Sequence, residues 1–487
     1  MLSLTKVATT CVARNTRSVL HITHCTKFRH AHPLRCHLWI STANPLSFVH
    51  RIMEVDPDAD PVTRPAMTKS VSEAPEECRA TFIRNDKGEY IPLECQKFEN
   101  SLLASAGLLE LANAGDFAAN VWNDIPVPRF AAVLMAVGAT AAALMIFVAI
   151  RDGRLSWRNI HLLRKERRYL VAIRNQPDKT FPLIDALLEV NRWELGTEII
   201  DRFAMDALMG VGCLLVSTGT YMAIGGANPN VYHASNLLSG YIGNSAAALG
   251  GLVIAVWCIY VLMRATRHGS VPANTASRPL LRRRKYRVQL QSSLNGVTGL
   301  VSGVASMLTA TRWYGYVILI PCICIFVFCN YLWRKEIGYN RKSIEDFGLL
   351  DESSLTEELA FISHLRMLLR ENAPGRPLVH EGQSVAVLLE LIAKSRLFES
   401  FCSRLLENTD IASRLGGSDG AENAITIELS HLFALAAQGY SSSIVELAQE
   451  CIIKDGPALW RDRERHLVEV LGSYMSIYHE KEGIECK

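Results

Sequence analysis

Two cysteines, Cys78 and Cys95, stand at the ends of a segment whose pattern predicts a β-hairpin. The segment reads CRATFIRNDKGEYIPLEC, and its two apolar runs flank Asn85–Gly88, a sequence with a strong preference for turns. If the turn centres between Asp86 and Lys87, the position numbers of facing residues add up to 173, which brings Cys78 opposite Cys95. Cysteines that face each other across two strands have the geometry of a disulfide. The spacing therefore predicts either a disulfide or two thiols in a loop.

The other cysteines and the histidines show no spacing that is typical of a catalytic or metal site. The 13 cysteines contain no CxxC pair, whereas zinc sites use ligands at such short, repeated spacings. The HExxH and GxSxG motifs and a phosphate-binding loop are absent, and Gly210-Val211-Gly212 lacks the remaining glycine of a dinucleotide-binding fingerprint. We therefore predict no catalytic residue, no cofactor and no metal, and we predict that the protein is not an enzyme.

Five long uncharged stretches predict helices that cross a membrane. A helix needs about 20 mostly apolar residues to span the hydrocarbon core of a bilayer. The predicted spans are 130–150, 207–227, 241–263, 288–311 and 313–333. The last span begins and ends with tryptophan, as expected at membrane interfaces. The predicted fold class is a predominantly α, polytopic membrane protein with a small N-terminal β-hairpin and a helical C-terminal domain.

The distribution of basic residues predicts the orientation of these spans. Basic side chains are concentrated in 151–174, 264–287 and 334–342, and the positive-inside rule places all three segments on one side. The chain must then cross twice between 287 and 334, with a tight turn near Arg312. The chain therefore crosses the membrane five times, and these crossings make up the membrane domain 130–333. The predicted layout is 53–129 outside, loops 151–206 and 264–287 inside, and 334–487 inside.

Small residues along the spans allow two interpretations. Glycines let membrane helices approach closely, and Ser or Thr hydroxyls can form hydrogen bonds across the contact. The alternative is a polar path for a small solute, although no charged residue of the kind that transport usually requires occurs inside a span. The predicted helix-packing or path-lining residues are Gly243, Gly250, Gly296, Gly299 and Gly303.

Two basic clusters are predicted to face anionic lipid. Trp157–Asn175 has apolar residues at near-helical spacing among basic ones, which is typical of a helix lying on a membrane surface. The alternative is an ordinary solvated basic loop. The predicted lipid-facing residues are Arg164, Lys165, Arg167, Arg168, Arg282, Arg283, Arg284 and Lys285.

Residues 1–52 form a basic leader that determines the predicted compartment. They contain seven Lys or Arg side chains and no acid, which is typical of a mitochondrial presequence. The alternative is that the working protein starts at Met53. The first interpretation predicts the mitochondrial inner membrane, and the second predicts the plasma membrane or an endomembrane. Without the leader the net charge falls from +3 to −4, so we expect no nucleic-acid partner.

The C-terminal region reads as a helical domain that binds protein. Residues 334–487 hold 17 basic and 25 acidic side chains, a net charge of −8, and their apolar residues recur at helical spacing in several runs, one of them 421–438. We expect a bilayer around the spans and a protein partner for 343–487. The predicted function is a non-catalytic integral membrane protein that anchors or organises this domain, and the alternative is a channel or carrier for a small solute.

Overall fold

The computed structural model is mostly helical and has five short strands among the residues it describes. The described residues are 78–85, 88–93, 97–98, 111–112, 114–122, 126–176, 183–268, 277–344, 350–371, 385–415 and 424–485. The predicted leader 1–52 and one member of the predicted disulfide, Cys95, lie outside these ranges.

Five long helices form an antiparallel bundle, preceded by the short helix α1 (Phe117–Val121). The first is α2 (Arg129–Arg174), which is continuous over 46 residues. The second consists of α3 (Ile184–Gly196), a π-helical segment (Thr197–Ala204) and α4 (Met205–Ala223). The third consists of α5 (Pro229–Ser235), a π-helical segment (Asn236–Gly243) and α6 (Asn244–His268). The fourth and fifth are α7 (Arg278–Thr309) and α8 (Gly315–Leu332), the latter extended by a π-helical turn (Trp333–Ile337).

All five predicted spans overlap these long helices. Within the described part of the chain, three helices are long and apolar enough to cross a membrane, namely Arg129–Arg174, Pro229–His268 and Gly315–Ile337. The other two predicted spans lie in α4 and α7, which contain more Ser, Thr and Gly. The tight turn expected near Arg312 is confirmed, because the Arg312 N–H donates to the carbonyl oxygen of Leu308 at 2.8 Å just after α7 ends.

The glycines singled out in the sequence lie at contacts between helices. A Cβ atom built on Gly299 would lie 3.0 Å from the carbonyl oxygen of Gly251, and one on Gly303 would lie 3.1 Å from Cα of Ala248. A Cβ atom built on Gly296 would lie 2.9 Å from Cβ of Cys258. The two remaining members face α4: Gly243 lies against Val216 and Gly250 against Met205. These contacts favour helix packing over a solute path, because each position is filled by a neighbouring helix.

In its described residues, the C-terminal domain has seven α-helices, a strand and a π-helical turn (Ala436–Tyr440). They are α9 (Glu352–Glu371), α10 (Val385–Lys394), α11 (Phe398–Glu407), α12 (Thr409–Leu415), β5 (Ala424–Glu428), α13 (Leu429–Leu435), α14 (Ser441–Lys454) and α15 (Gly456–Glu485). Its core includes Phe401 and Trp460, and a second core joins α15 to the long helices through Leu467, Leu170 and Leu281. We call the end of the bundle that contacts this domain the proximal end, and the opposite end the distal end.

A three-stranded antiparallel sheet joins the N-terminal hairpin to this domain. The hairpin strands β1 (Arg79–Arg84) and β2 (Tyr90–Pro92) pair with each other, and β1 also pairs with β5 in the order β2-β1-β5. The prediction of a helix over 421–438 is wrong at its start. Ile425 and Ile427 are buried while Thr426 between them is exposed, which is the period-two pattern of a strand.

The hairpin register differs by one position from the predicted one. Phe82 pairs with Pro92, and the closing pair is Asn85 with Glu89, whose backbone groups share a hydrogen bond of 2.8 Å. The loop between this pair therefore has three residues rather than two. Its last residue, Gly88, adopts φ +83°, a conformation that glycine enters without strain. In this register the position numbers of facing residues add up to 174 rather than 173.

The pairing of β1 with β5 conflicts with the predicted topology. Residues 53–129 are predicted outside and 334–487 inside, yet Thr81 and Thr426 are partners in one sheet and their hydroxyl oxygens are 3.0 Å apart. A second pairing repeats this result, since β3 (Lys97–Phe98) pairs with β4 (Arg341–Lys342). Strands of one sheet share one side of any membrane. The hairpin and the C-terminal domain therefore share one sheet.

The predicted surface-lying helix, Trp157–Asn175, is instead the proximal half of α2. Its apolar stripe is buried inside the protein, with Leu163 and Leu170 fully covered, because α3 packs along it. At 1.5 Å per residue, Arg164 lies roughly 21 Å along the axis beyond Ile150, where the uncharged stretch ends. That Arg164, Lys165, Arg167 and Arg168 face anionic lipid stays a prediction.

Gly251→Ala should destabilise the bundle, because its new Cβ would lie 2.1 Å from the carbonyl oxygen of Gly299. We expect the free energy of unfolding to fall by about 1–3 kcal/mol, as for other overpacked sites. Gly212→Ala is the matched control, since a Cβ there meets nothing closer than 3.5 Å. Thermal unfolding of the full-length chain in detergent measures both variants. Equal unfolding midpoints would contradict the close contact.

Candidate functional site

A layer of buried charged side chains lies at the proximal end of the bundle. Its members come from five different helices, a π-helical segment and β4, and none is more than 11% exposed at its side chain. We call it the ionic layer, and it consists of Asp152, Glu166, Glu194, Glu198, Arg202, Arg264, Arg284, Arg341 and Glu469. Burial of a charge is costly unless the charge is paired and hydrogen-bonded. The pairings divide the layer into three centres.

The first centre is Arg341, which lies between two glutamates. Its two terminal nitrogens donate to the two carboxylate oxygens of Glu166, each at 2.7 Å, in the bidentate geometry that makes such pairs strong. Its Nε donates to Glu194 at 3.2 Å. The ring of Phe98 covers the guanidinium at 4.6 Å. One side chain thus holds together the N-terminal strand β3, α2, α3 and the segment 338–344, which we call the neck of the C-terminal domain.

The local structure explains why both glutamates reach Arg341. Glu166 and Glu194 lie on the faces that α2 and α3 turn toward each other. Asn191, one turn before Glu194, donates to the carbonyl oxygen of Leu163 at 3.0 Å and to Glu166 at 3.3 Å. These bonds fix the register of the two helices. Glu166 also accepts the backbone N–H of Ile344 at 3.3 Å, which positions the chain just after β4.

The second centre lies in the π-helical segment before α4. Arg202 donates to Asp152 at 2.9 Å and to Glu198 at 3.5 Å. Glu198 also accepts hydrogen bonds from the hydroxyl of Ser156 at 2.7 Å and from the hydroxyl of Tyr339. The centre therefore ties α2 to the second long helix and to the chain that leads into β4.

The third centre joins α15 to the long helices. Glu469 accepts hydrogen bonds from Arg264 on α6 and from Arg284 on α7, the latter at 3.0 Å. Arg264 also donates to Ser473, one turn further along α15, at 3.0 Å. The ring of Trp193 lies beside both guanidinium groups, at 5.0 Å from Arg264 and 5.9 Å from Arg284, within the range of cation–π attraction.

The charge balance of the first and third centres shifts two pKa values in opposite directions. Burial raises the pKa of Glu194 from its ordinary 4.5 to about 7. Arg341 opposes this shift but does not cancel it, because Arg341 is shared with Glu166. Burial alone would also raise the pKa of Glu469. Two cations, Arg264 and Arg284, outweigh that effect and hold the pKa of Glu469 well below its usual range.

The structure separates the predicted basic residues of α7 into two groups. Arg282 and Arg283 are exposed, as a lipid-facing position requires. Arg284 is not, because its Nε donates to Glu469 and its Nη1 donates to the carbonyl oxygen of Glu336 at 3.2 Å. The prediction for Arg284 is therefore wrong: the helix turns this side chain toward the C-terminal domain. Lys285 is half-buried.

The remaining predicted site lies in the hairpin. Cys78 is half-buried and packs against the core of the C-terminal domain. Sequence reasoning missed the ionic layer, although one signal was present. Glu198 and Arg202 are four residues apart in a helical stretch, a spacing that places opposite charges together on one face.

Arg341→Met should destabilise the protein strongly, because Glu166 and Glu194 would remain buried beside each other without a cation. Removal of one partner from a buried pair typically costs about 3–5 kcal/mol. Arg282→Met, at an exposed position of α7, is the control. Adding Glu166→Gln and Glu194→Gln to Arg341→Met should restore part of the loss. Chemical unfolding of the full-length chain checks this, and equal losses for Arg341→Met and Arg282→Met would argue against the centre.

Glu194 should make stability depend on pH. Since its folded pKa of about 7 lies above its ordinary 4.5, the folded chain binds the proton more tightly than the unfolded chain does. The stabilisation is present at low pH and is lost as the pH rises through that window. The unfolding midpoint should therefore fall between pH 5 and pH 7.5 more steeply in the native protein than in Glu194→Gln. Parallel pH profiles would show that Glu194 is not the responsible group.

The contacts of the ionic layer are ion pairs and hydrogen bonds between elements. Over the described ranges, no group of three or more His, Cys, Asp and Glu side chains is arranged to hold a metal ion. Comparison of the chain with protein-family models, curated proteins and solved structures finds no match.

Proposed function

We propose that this chain is a non-catalytic integral membrane protein that holds its helical C-terminal domain rigidly against one membrane face, where the domain binds another protein. The observation that carries the proposal is the ionic layer. Its three centres attach β4 and α15 to all of the first four long helices through buried charges. A domain that is only tethered to a membrane needs no more than a linker, whereas these buried ion pairs fix the position of the C-terminal domain.

Exposed apolar side chains support a membrane around the bundle. Phe147 on α2 is 71% exposed, and Val133, Val304 and Trp313 are each 63% exposed. Similar side chains recur along the outer faces of all five long helices. Contiguous apolar surface of this extent is rare on proteins surrounded by water. A bilayer would cover it.

The positions of Phe98 and Asp116 support six crossings rather than five. Phe98 lies at the proximal end against Arg341. Asp116 lies at the distal end, where it accepts a hydrogen bond of 2.7 Å from the hydroxyl of Tyr316, in the first turn of α8. α8 has 18 residues and is therefore roughly 27 Å long. At its other end the ring of Trp333, the next residue, contacts the ring of Trp193. The described residues on the two sides of 99–110 therefore lie at opposite ends of the bundle.

Six crossings also agree with the sheet. An even number returns the N-terminal hairpin and the C-terminal domain to the same side, as the pairing of β1 with β5 requires. The predicted inside loops 151–206 and 264–287 stay on that side with their basic residues, which satisfies the positive-inside rule. Only the side assigned to 53–98 changes.

The alternative function, a channel or carrier, has less support from the contacts. Polar side chains between the helices bond to neighbouring helices: Ser217 donates to the carbonyl oxygen of Ala139 at 2.8 Å, and Ser235 donates to that of Gly219 at 2.7 Å. Asn244 donates to the hydroxyl oxygen of Thr309 at 3.1 Å. Groups that line an aqueous path would instead face a cavity.

The double variant Thr81→Cys, Thr426→Cys should form a disulfide in intact membranes under mild oxidation. The two native hydroxyl oxygens are 3.0 Å apart, so sulfur atoms at these positions come within bonding reach. Each single variant is a control for pairing with the native cysteines. Mass spectrometry of the linked peptides measures the product. A hairpin and a C-terminal domain on opposite sides of the membrane would give no such link.

The proposed function predicts a stoichiometric protein partner at the C-terminal domain. Purification of the full-length chain from its native membrane, followed by chemical cross-linking, should join residues 350–485 to a second protein. Because the region 334–487 has a net charge of −8, the partner should dissociate more readily at high salt. Reconstituted vesicles test the alternative: selective solute flux that Gly299→Leu abolishes without loss of folding would favour a carrier.

A further inference from the structure

The carboxyl groups of Asp152 and Asp206 meet between α2 and the second long helix, just outside the predicted spans 130–150 and 207–227. Both residues are buried, and their side chains share a hydrogen bond. An ionised carboxylate only accepts hydrogen bonds, so a bond between two carboxyl groups requires a proton on one of them. Two buried carboxylates in contact would also repel each other strongly, because the protein screens charge less than water does. The contact therefore needs one proton.

The charge balance of the second centre of the ionic layer also favours a proton. Its cation, Arg202, lies between Asp152 and Glu198. Asp206 is a third buried carboxyl group beside this cation, so three ionised acids would face one guanidinium. A proton on one of them reduces this excess of negative charge, which is costly in a buried site.

The groups around Asp206 come from four elements. The stretch of α6 that packs against α4 is uncharged from 244 to 263. The charged and titratable neighbours are Asp152 and Arg154 on α2, Glu198, Asp201 and Arg202 in the π-helical segment, and Tyr339 in the neck.

These surroundings raise the pKa of Asp206 from its ordinary 3.8 to about 8. Burial is the largest cause, the carboxyl group of Asp152 adds to it, and Arg202 opposes both. Because the two carboxyl groups are in contact, the proton belongs to the pair rather than to one oxygen. The folded chain therefore holds the proton at neutral pH and releases it as the pH rises through about 8.

A cavity gives this proton a way in and out. The cavity has a volume of about 500 Å³ and lies between α2 and α4, with Asp206, Gly153 and Arg154 in its wall. The two helices approach closely here, since Cβ of Asp206 lies 3.7 Å from the position that a Cβ on Gly153 would occupy. The pair is thus covered by protein but borders an opening.

We propose that Asp152 and Asp206 bind one shared proton, which acts as a latch between α2 and the second long helix. With the proton present, the hydrogen bond between the two carboxyl groups joins the helices. Without it, two carboxylates repel each other across the same contact, and the helices separate along the cavity. The latch goes beyond the proposed function, because it needs neither a membrane nor a protein partner.

The latch also reaches the neck of the C-terminal domain. Arg202 is shared between Asp152 and Glu198, and Glu198 accepts a hydrogen bond from the hydroxyl of Tyr339. Loss of the proton puts a second carboxylate beside Arg202 and draws the guanidinium toward α2. Glu198, which holds Tyr339, then loses part of its cation. Alkaline pH therefore acts on one of the three centres of the ionic layer.

Infrared difference spectroscopy of the purified full-length chain in detergent tests for the shared proton. The native spectrum minus that of Asp206→Asn should contain the carbonyl band of a protonated carboxyl group at about pH 6, and this band should disappear as the pH rises through about 8. Asp152→Asn should remove the same band although Asp206 is still present, because the amide can donate to an ionised Asp206. Glu407→Gln, at an exposed position of α11, is the control and should leave the band unchanged.

Thermal unfolding of the same chains separates a latch from an ordinary contact. Asp206→Asn keeps a donor for Asp152 but cannot become charged. Since the folded pKa of Asp206 lies above its ordinary 3.8, the native chain loses stability as the pH rises toward 8. The unfolding midpoint of Asp206→Asn, relative to that of the native chain, should therefore rise between about pH 5 and pH 8 and level off above it. A relative midpoint that does not change with pH, or a difference spectrum without the carboxyl band, would overturn the latch. Neither measurement involves the partner on which the proposed function depends, so failure of one proposal leaves the other standing.

Discussion

One guanidinium group, that of Arg341, is the contact on which the rest of the arrangement depends. Its two glutamate partners lie on different helices, and its backbone pairs with the N-terminal strand β3. A cation buried this deeply is stable only while both partners stay in place, because loss of either contact leaves an uncompensated charge. The N-terminal segment, α2, α3 and the neck of the C-terminal domain must therefore keep one relative position. This constraint is stricter than apolar packing, which tolerates sliding between surfaces of similar shape.

The π-helical segment Thr197–Ala204 shows how the chain accommodates a second buried charge centre. π-helical turns are uncommon and frequently mark functional or strained sites. Here the segment presents Glu198 and Arg202 to the same face of α2, where Asp152 and Ser156 lie. Beyond it, α4 continues as an apolar helix. The ionic layer is thus placed immediately before the uncharged stretch begins, and the charged atoms remain outside the segment that would lie in hydrocarbon.

The sequence predicted what depends on local pattern and missed what depends on distant contacts. The long helices and the turn near Arg312 were predictable, because length, apolarity and turn chemistry are properties of neighbouring residues. The pairing of Thr81 with Thr426 was not, since 345 positions separate the two residues and nothing local specifies the partner. The same holds for Arg284 and Glu469. Positive charge near a span predicted a lipid-facing side chain, but a single position of helical rotation turns Arg284 inward while Arg283 stays exposed.

The hairpin changes what counts as the C-terminal domain. Phe82 is fully buried in the domain core, and Ala80 is 7% exposed there, so residues before the five long helices complete a core whose other members follow those helices. A fragment that starts at residue 334 lacks these side chains and the middle strand of its sheet. Closure of the sheet requires both β1, which precedes the five long helices, and β5, which follows them. The long helices and the domain therefore form one folding unit.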